Sequence, residues 1–222
     1  MRVPLLLEQD HLVVRIDGGL WVLDTGSPFS FGRADEVQLG GERFPVPDEA
    51  FGLDADRLSG LVGTRLEGLI GTDLLNGFDL DFDLAGGALT IGTGLPVPDG
   101  DRIPLTDLMG VPALEARSEL GAHRMLLDTG AQLSYLQADG ADRFPAAGPV
   151  RDFLPMFGTF ETETRSVPFR VGTTDVTLRC GRLPDLMGMT LSLAGVDGII
   201  GAELFRGWRV GYLSSRRLLT LS

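Results

Sequence analysis

The sequence predicts a mainly β protein built from two homologous lobes. Glycine and proline are frequent, with 31 and 13 of 222 residues, and they separate short apolar runs. This composition is typical of many short strands joined by turns. A set of four sequence features also occurs twice along the chain in the same order. The sequence therefore favours a β-rich, two-lobed architecture with a few short helices over a helical bundle.

The charge balance limits the classes of partner. The formal net charge is -12, and all 19 basic residues are arginine. Such a surface repels phosphate backbones and anionic lipids, so neither nucleic acid nor a membrane is an expected partner. No apolar segment approaches the roughly 18 residues that span a membrane, and the apolar run at 4–7 is too short for a signal peptide. We expect a cytoplasmic protein as the sequence stands, or a periplasmic or secreted one if a signal was removed.

The repeat centres on two Asp-Thr-Gly motifs whose aspartates are 104 residues apart. Residues 21–27 read Trp-Val-Leu-Asp-Thr-Gly-Ser, and residues 125–131 read Met-Leu-Leu-Asp-Thr-Gly-Ala. An Arg-x-Pro-Leu segment precedes each motif, and an apolar-apolar-Gly element and a strand-turn-strand pattern follow it. We predict lobes at 1–98 and 101–222, joined by a turn-rich connector.

The local patterns predict individual elements. Leu12 to Ile16 and Leu20 to Leu23 are expected strands around an Asp-Gly-Gly turn. The segment 78–84 alternates apolar and acidic residues, which indicates a strand with one solvated acidic face. Short helices are expected at 72–76 and 202–205.

The aspartates have a chemical use if the two turns meet at a pseudo-twofold axis. Two carboxylates about 4 Å apart repel by ~4 kcal/mol at an effective dielectric constant of 20, so such a pair shares one proton. The ionised carboxylate can take a proton from water, while the protonated carboxyl group polarises a carbonyl oxygen. This chemistry needs no metal and no organic cofactor.

On these motifs the chain resembles the pepsin and retropepsin superfamily of aspartic peptidases. Residues 126–131 resemble the retroviral-type active-site turn, and residues 69–75 resemble the retropepsin apolar-Gly element with its helix. Residues 24–27 are closer to the pepsin version. The resemblance covers nearly the whole chain, which has about the length of two retropepsin subunits. It implies a compact single-chain acid-protease fold like that of a "mini-pepsin", with a bacterial source.

The resemblance implies roles for both motifs. Asp24 and Asp128 are the expected catalytic dyad in one cleft between the lobes. The expected supporting residues of the two turns are Thr25, Gly26, Ser27, Thr129, Gly130 and Ala131. The two threonines should form interlocked hydrogen bonds. The Ser27 hydroxyl could bond the Asp24 carboxylate, whereas Ala131 offers no such group, so Asp24 is expected to be the more acidic partner.

The halves differ in the segment after the motif. From Asp24 to Gly71 there are 47 positions, and from Asp128 to Gly201 there are 73. The extra length fits a hairpin at 153–167, and no comparable hairpin is expected in the first half. Pepsins carry one flap on the first lobe, so a single flap on the second would depart from that pattern. The candidates for substrate contact are Met156, Phe157, Gly158, Phe160 and Tyr135. A surface hairpin that never covers the cleft is the alternative.

Other residues have simpler expectations. Cys180 is expected to be a buried thiol because a single cysteine cannot form an internal disulfide. His11 and His123 lie near predicted turns and are expected to be solvated. Trp21 should pack in the core, and the segment 186–193 is either a cleft wall or core.

The expected function is that of a monomeric aspartic endopeptidase. Its expected partners are extended peptide or protein substrates with apolar residues around the scissile bond, and pepstatin-type inhibitors. One alternative is a catalytically silent module that binds peptides or proteins in the same cleft. A homodimeric protease that requires an activator is a third possibility.

Overall fold

The computed structural model describes residues 1–154 and 158–222. It is mostly β, with two large sheets, as the sequence predicts. The elements of the first half are β1 (Arg2–Glu8), β2 (His11–Ile16), β3 (Gly19–Leu23), β4 (Phe31–Gly32), β5 (Glu36–Leu39), β6 (Glu42–Pro45), β7 (Glu49–Ala50), β8 (Leu53–Asp54), α1 (Ala55–Val62), β9 (Gly68–Ile70), α2 (Thr72–Leu75), β10 (Asp79–Asp83) and β11 (Ala88–Gly92).

The second half follows the same order with longer central strands. Its elements are β12 (Asp101–Pro104), β13 (Thr106–Leu108), β14 (Val111–Ser118), β15 (Gly121–Leu127), β16 (Ser134–Leu136), β17 (Ala146–Leu154), β18 (Gly158–Val171), β19 (Thr174–Gly181), α3 (Asp185–Leu193), β20 (Gly198–Ile200), α4 (Leu204–Gly207), β21 (Val210–Leu213) and β22 (Leu218–Leu221).

Strands of both halves share one sheet. Ten strands lie in the order β12-β22-β21-β10-β11-β1-β2-β3-β9-β4, and the antiparallel pair β10–β21 connects the halves. Eight strands of the second half form the sheet β13-β14-β15-β20-β16-β19-β18-β17. The pairs β5–β6 and β7–β8 form two small additional sheets.

The strands that lead to the aspartates are buried on both faces. In β3, Trp21 and Leu23 belong to the main core, whereas Val22 belongs to a separate cluster on the opposite face. In β15, Leu127 lies in the main core and Leu126 in the corresponding second cluster. Both strands therefore tolerate only apolar side chains, which explains the continuous apolar runs.

The acidic face of β10 is solvated only in part: Asp83 is half-exposed, whereas Asp79 and Asp81 are engaged by other segments, contrary to expectation. Asp79 is 1% exposed and accepts hydrogen bonds from Ser215 Oγ at 2.8 Å and from the Leu95 backbone N–H at 3.1 Å. Asp81 forms an ion pair with Arg209 at 2.6 Å. The alternating pattern correctly located a strand, but it could not reveal that the connector, Arg209 and the turn after β21 contact these acids.

The helices correspond partly to the expected ones. α2 and α4 lie at or next to the predicted segments. No sequence pattern predicted α1. It begins after Asp54, and the side chain of Asp54 accepts a hydrogen bond from Arg57 N–H at 2.8 Å. It ends at Gly63, whose φ of 80° places it in the left-handed region. No helix among the described residues has the length and apolar character needed to cross a membrane.

Cys180 and His123 are both buried. Cys180 lies in the main core, as expected, and burial raises the pKa of its thiol. His123 was expected to be solvated, but it is only 5% exposed and its Nε2 lies 2.8 Å from Ser118 Oγ. Burial lowers the pKa of this imidazole.

Candidate active site

Each Asp-Thr-Gly turn begins where a buried strand ends. The Asp24 backbone N–H donates to the Ile70 carbonyl at 3.0 Å, and the Asp128 N–H donates to the Ile200 carbonyl at 2.9 Å. These bonds extend the parallel pairings β3–β9 and β15–β20 by one residue. The apolar-apolar-Gly elements therefore fix the position at which each aspartate leaves its strand.

The two threonines interlock the turns. Thr25 N–H donates to Thr129 Oγ1 at 3.0 Å, and Thr129 N–H donates to Thr25 Oγ1 at 3.0 Å. Thr25 Oγ1 donates in turn to the Leu127 carbonyl at 2.6 Å, and Thr129 Oγ1 donates to the Leu23 carbonyl at 2.8 Å. Both threonines are completely buried, so the four bonds are shielded from water.

Asp24 receives its hydrogen bonds from the backbone. Its Oδ1 accepts from the N–H groups of Gly26 and Ser27, each at 2.9 Å. The Ser27 hydroxyl does not bond this carboxylate as expected, because its Oγ donates to the Phe29 carbonyl at 2.8 Å. The basis for a more acidic Asp24 is therefore wrong.

Asp128 has an equivalent set of backbone donors. Its Oδ1 accepts from Gly130 N–H at 2.9 Å and from Ala131 N–H at 3.1 Å. Ala131 thus supplies the same backbone donor that Ser27 supplies in the first half. The lack of a hydroxyl group at this position leaves the turn geometry unchanged.

The two carboxylates lie against the turn glycines of the opposite half. A Cβ atom at Gly26 would lie 2.3 Å from Asp128 Cγ, and one at Gly130 would lie 2.4 Å from Asp24 Cγ. Only glycine permits this approach. The pair is therefore brought together by two residues that have no side chain.

Burial raises the pKa of both paired carboxyl groups. Burial raises the pKa of Asp24 well above its ordinary value, the charge of Asp128 and a hydrogen bond with it raise it further, and the N–H groups of Ser27 and Gly26 oppose this rise. Burial also raises the pKa of Asp128, but the hydrogen bond with Asp24, the N–H groups of its turn and nearby His11 oppose this rise. Both carboxyl groups therefore hold a proton more tightly than an exposed aspartate does, and the pair shares one proton.

Two serines that the sequence analysis missed support both turns. Ser30 Oγ accepts from Gly71 N–H at 2.9 Å, and Ser134 Oγ accepts from Gly201 N–H at 3.1 Å. Both hydroxyls are buried, and each serine lies six residues after the aspartate of its half. This repeated spacing was the sequence signal that could have identified them.

An apolar cavity of about 350 Å³ contains both carboxylates. Its apolar walls include Phe31, Leu69, Leu126, Leu154, Met187 and Ile199. Met187 belongs to α3, so the segment 186–193 forms part of the cleft wall on one face. The opposite face of the helix exposes Leu186, Met189 and Leu193.

The hairpin β17–β18 lies beside the carboxylates, but only part of it is described. Phe153 packs on the first-half cluster that contains Val22, and its ring centroid is 5.7 Å from that of His11. Gly158 begins β18 opposite Leu154 with a φ of 86°. Met156 and Phe157 lie outside the described residues.

The other two substrate-contact candidates lie at different depths. Tyr135 is 2% exposed and lines a smaller cavity of about 80 Å³ together with both aspartates. Phe160 packs against Tyr135 with a centroid distance of 6.3 Å and is not among the residues that line either cavity.

A buried carboxylate connects the hairpin to the second turn. Asp152 on β17 accepts hydrogen bonds from the Tyr135 hydroxyl, from Gln132 Nε2 at 2.7 Å and from Phe153 N–H at 2.7 Å. Burial raises the pKa of Tyr135, and the charge of Asp152 adds to this rise. The sequence did not predict this network, because Tyr135 and Gln132 lie 17 and 20 positions from Asp152 and no local pattern links them.

The first half also carries a hairpin at the cleft, contrary to expectation. Strands β7 and β8 flank Phe51 and Gly52, and both tip residues have positive φ angles. Phe51 is 66% exposed, lines the large cavity and packs edge-to-face on Phe29 at 4.8 Å. With two residues in each strand, the hairpin was too short for its sequence pattern to predict.

His11 also differs from expectation. It is only 4% exposed, and its Nδ1 lies 2.8 Å from the Gly130 carbonyl oxygen in the other half. It lines the smaller cavity with both aspartates. Its solvation was expected because it follows a turn, but the turn packs against the second half.

Comparisons with known proteins identify the fold. No family model and no curated protein matches the sequence. Among solved structures, the chain is similar to an aspartic proteinase from Irpex lacteus, with a TM-score of 0.57 and 15% sequence identity. The match covers 100% of this chain and 96% of that one. The chain therefore has the two-lobed acid-protease fold.

Proposed function

We propose that the protein is an aspartic endopeptidase. The observation that carries the proposal is the pair Asp24 and Asp128, which are held together by interlocked turns on the floor of an apolar cavity. The resemblance of both motifs to aspartic peptidases and the shared fold support the same reading. A merely structural pair of buried acids would not need to open into a cavity.

We assign Asp128 as the base and Asp24 as the acid, because His11 donates a hydrogen bond to the turn of Asp128. The ionised Asp128 accepts a proton from a water molecule, and the water oxygen attacks the carbonyl carbon of the peptide bond. The protonated Asp24 donates its proton to the carbonyl oxygen as the tetrahedral intermediate forms. The proton on Asp128 then passes to the leaving nitrogen while the C–N bond breaks, and a proton returns from the intermediate to Asp24.

The proposed substrates are extended peptides or proteins with apolar residues beside the scissile bond. The large cavity offers Phe31, Leu69 and Met187 to such side chains, and a branched or aromatic side chain fits its volume of about 350 Å³. Pepstatin-type inhibitors should bind the same cleft. Because one chain supplies both aspartates, a monomer suffices for this activity.

Cleavage of a mixed peptide library from pH 3 to 7 tests the proposal. Wild type should cleave the library, pepstatin should inhibit it, and both Asp24→Asn and Asp128→Asn should abolish cleavage. Asp175→Asn is the matched control, because Asp175 is an exposed carboxylate on β19 paired with Arg170. Absence of cleavage by folded wild type, together with peptide binding, would instead support a silent binding module.

A further inference from the structure

His11 reaches from the first half to the active-site turn of the second. It is the first residue of β2, and its Nδ1 lies 2.8 Å from the Gly130 carbonyl oxygen. A carbonyl oxygen only accepts hydrogen bonds, so Nδ1 must carry the proton. The contact therefore fixes the direction of the bond as well as the position of the ring.

The acceptor belongs to the same peptide group as a donor to the carboxylate. The carbonyl of Gly130 and the N–H of Ala131 form one amide, and this N–H donates to Asp128 Oδ1 at 3.1 Å. A hydrogen bond to the oxygen of an amide polarises the group and strengthens its N–H as a donor. His11 thus acts on Asp128 through one peptide bond.

The second half has no equivalent donor at the position that corresponds to His11. Val13 is the third residue of β2 and pairs with Val22, two residues before Asp24. Ala113 is the third residue of β14 and pairs with Leu126, two residues before Asp128. By this register His11 corresponds to Val111, the first residue of β14. A valine side chain cannot donate a hydrogen bond, so the pseudo-twofold symmetry is broken at this position.

We propose that His11 is a positioning residue that acts through the 130–131 amide to keep Asp128 the ionised member of the pair. It thereby determines which of two nearly symmetric carboxyl groups is the acid and which is the base. The inference rests on the proposed function only for the meaning of these roles, because the His11 contact with the second turn does not depend on catalysis.

The other ionisable groups around Asp128 do not provide this stabilisation. Besides Asp24, Tyr135 and Asp152 line the same small cavity. The Tyr135 hydroxyl donates to Asp152, so it is not directed at Asp128. A charge on Asp152 would oppose the ionisation of Asp128, which makes the additional polarised donor more important.

Two acidic residues lie close to His11 in the β1–β2 hairpin. Asp10 forms an ion pair with Arg206 of α4. Glu8 lies opposite His11 in the β1–β2 pairing, on the strand that leads into the same turn. In the second half, His11 contacts the Phe153 ring and the Gly130 carbonyl, and of these two the carbonyl accepts its hydrogen bond.

The test is a carbon-13 NMR titration of the two carboxyl groups in the complete protein, with signals assigned from Asp24→Asn and Asp128→Asn. In wild type, Asp128 should titrate below Asp24. His11→Val, which installs the residue of the other half, should raise the Asp128 midpoint by about half a pH unit, because the effect passes through one amide. His11→Gln retains an N–H donor and should leave the midpoint within about 0.2 pH unit of wild type.

The control is His123→Val, which removes the other buried histidine without touching the pair and should shift neither midpoint. Thermal unfolding verifies that each variant is folded, and His11→Ala gives the same comparison if His11→Val does not fold. An unshifted Asp128 in the folded valine or alanine variant would overturn the inference. So would an equal shift in His11→Gln, because charge rather than the hydrogen bond would then be responsible. This titration needs no turnover, so a failed cleavage assay would leave its result intact.

Discussion

Thr25 and Thr129 exchange hydrogen bonds across the boundary between the two halves, each accepting the N–H of the other at 3.0 Å. Each hydroxyl also donates to a backbone carbonyl in the strand that precedes the aspartate of the other half. The position of one carboxylate therefore depends on the backbone of the other half. The same four hydrogen bonds therefore stabilise the boundary between the halves and position the two carboxylates.

Loss of one of these hydroxyls should destabilise the whole protein. Thr25→Val preserves the shape of the side chain but leaves the buried Thr129 N–H and Leu127 carbonyl without their partner. We expect the free energy of unfolding to fall by about 2–4 kcal/mol, because each unsatisfied buried group costs roughly 1–3 kcal/mol. Urea unfolding measures this change. Thr25→Ser retains the hydroxyl and is the control, so equal midpoints for the two variants would contradict the prediction.

A methyl group at the first active-site glycine should separate the carboxylates. In Gly26→Ala the new Cβ would lie 2.3 Å from Asp128 Cγ, so the pair must move apart. We expect kcat/KM to fall by at least about 100-fold, as is typical when a reacting group is displaced by about 1 Å.

The matched control is Gly60→Ala. Gly60 lies on α1 with no atom near the position of its added Cβ. This substitution should stabilise the protein by about 0.5–1 kcal/mol through helix propensity and leave kcat/KM unchanged. Similar activity losses in both variants would show that the contact of Gly26 with Asp128 is unimportant.

The raised pKa of Asp24 should appear in the pH dependence of stability. The folded protein retains this proton at pH values where the unfolded chain, with an aspartate pKa of about 3.9, has lost it. The resulting stabilisation is complete below about pH 3.9 and disappears as the pH rises toward the folded pKa. Asp24→Asn removes this dependence.

The stability of wild type relative to Asp24→Asn should therefore decrease with rising pH. The slope should be about 1.4 kcal/mol per pH unit between the unfolded and folded pKa values. Urea unfolding from pH 3 to 7 measures it. A constant difference between the two proteins over this range would contradict a raised pKa for Asp24.

The cavity wall should set the size of the preferred apolar residue. Met187→Ala enlarges the cavity, so a leucine side chain beside the scissile bond would be packed less tightly. We expect kcat/KM for a leucine peptide to fall about tenfold, because this loss of contact corresponds to one to two buried methylene groups. Met189→Ala, on the exposed face of the same helix, should leave the value unchanged. Competing cleavage of leucine and phenylalanine peptides measures the preference, and an unchanged ratio in Met187→Ala would exclude this residue from the substrate pocket.

The sequence revealed what is repeated and local. The two Asp-Thr-Gly turns, their apolar strands and the helices near Thr72 and Leu204 follow from patterns within a few residues. The supporting serines Ser30 and Ser134 were also accessible, because both lie six positions after an aspartate.

The remaining features depend on contacts between distant segments. Asp79 is held by Leu95 of the connector and by Ser215 of a turn 136 positions further along the chain. The contact of His11 with Gly130 spans 119 positions and has no counterpart in the other half. The hydroxyl of Ser27, on which the expectation of a more acidic Asp24 relied, donates to the Phe29 carbonyl instead.

In the proposed function, Asp24 and Asp128 of one chain form one peptide-cleaving site. Titration of peptide cleavage with pepstatin, at protein concentrations well above its dissociation constant, tests this claim most directly. We predict that activity falls linearly to zero at one inhibitor molecule per 222-residue chain. An endpoint at one inhibitor per two chains, or cleavage that persists in excess inhibitor, would contradict it.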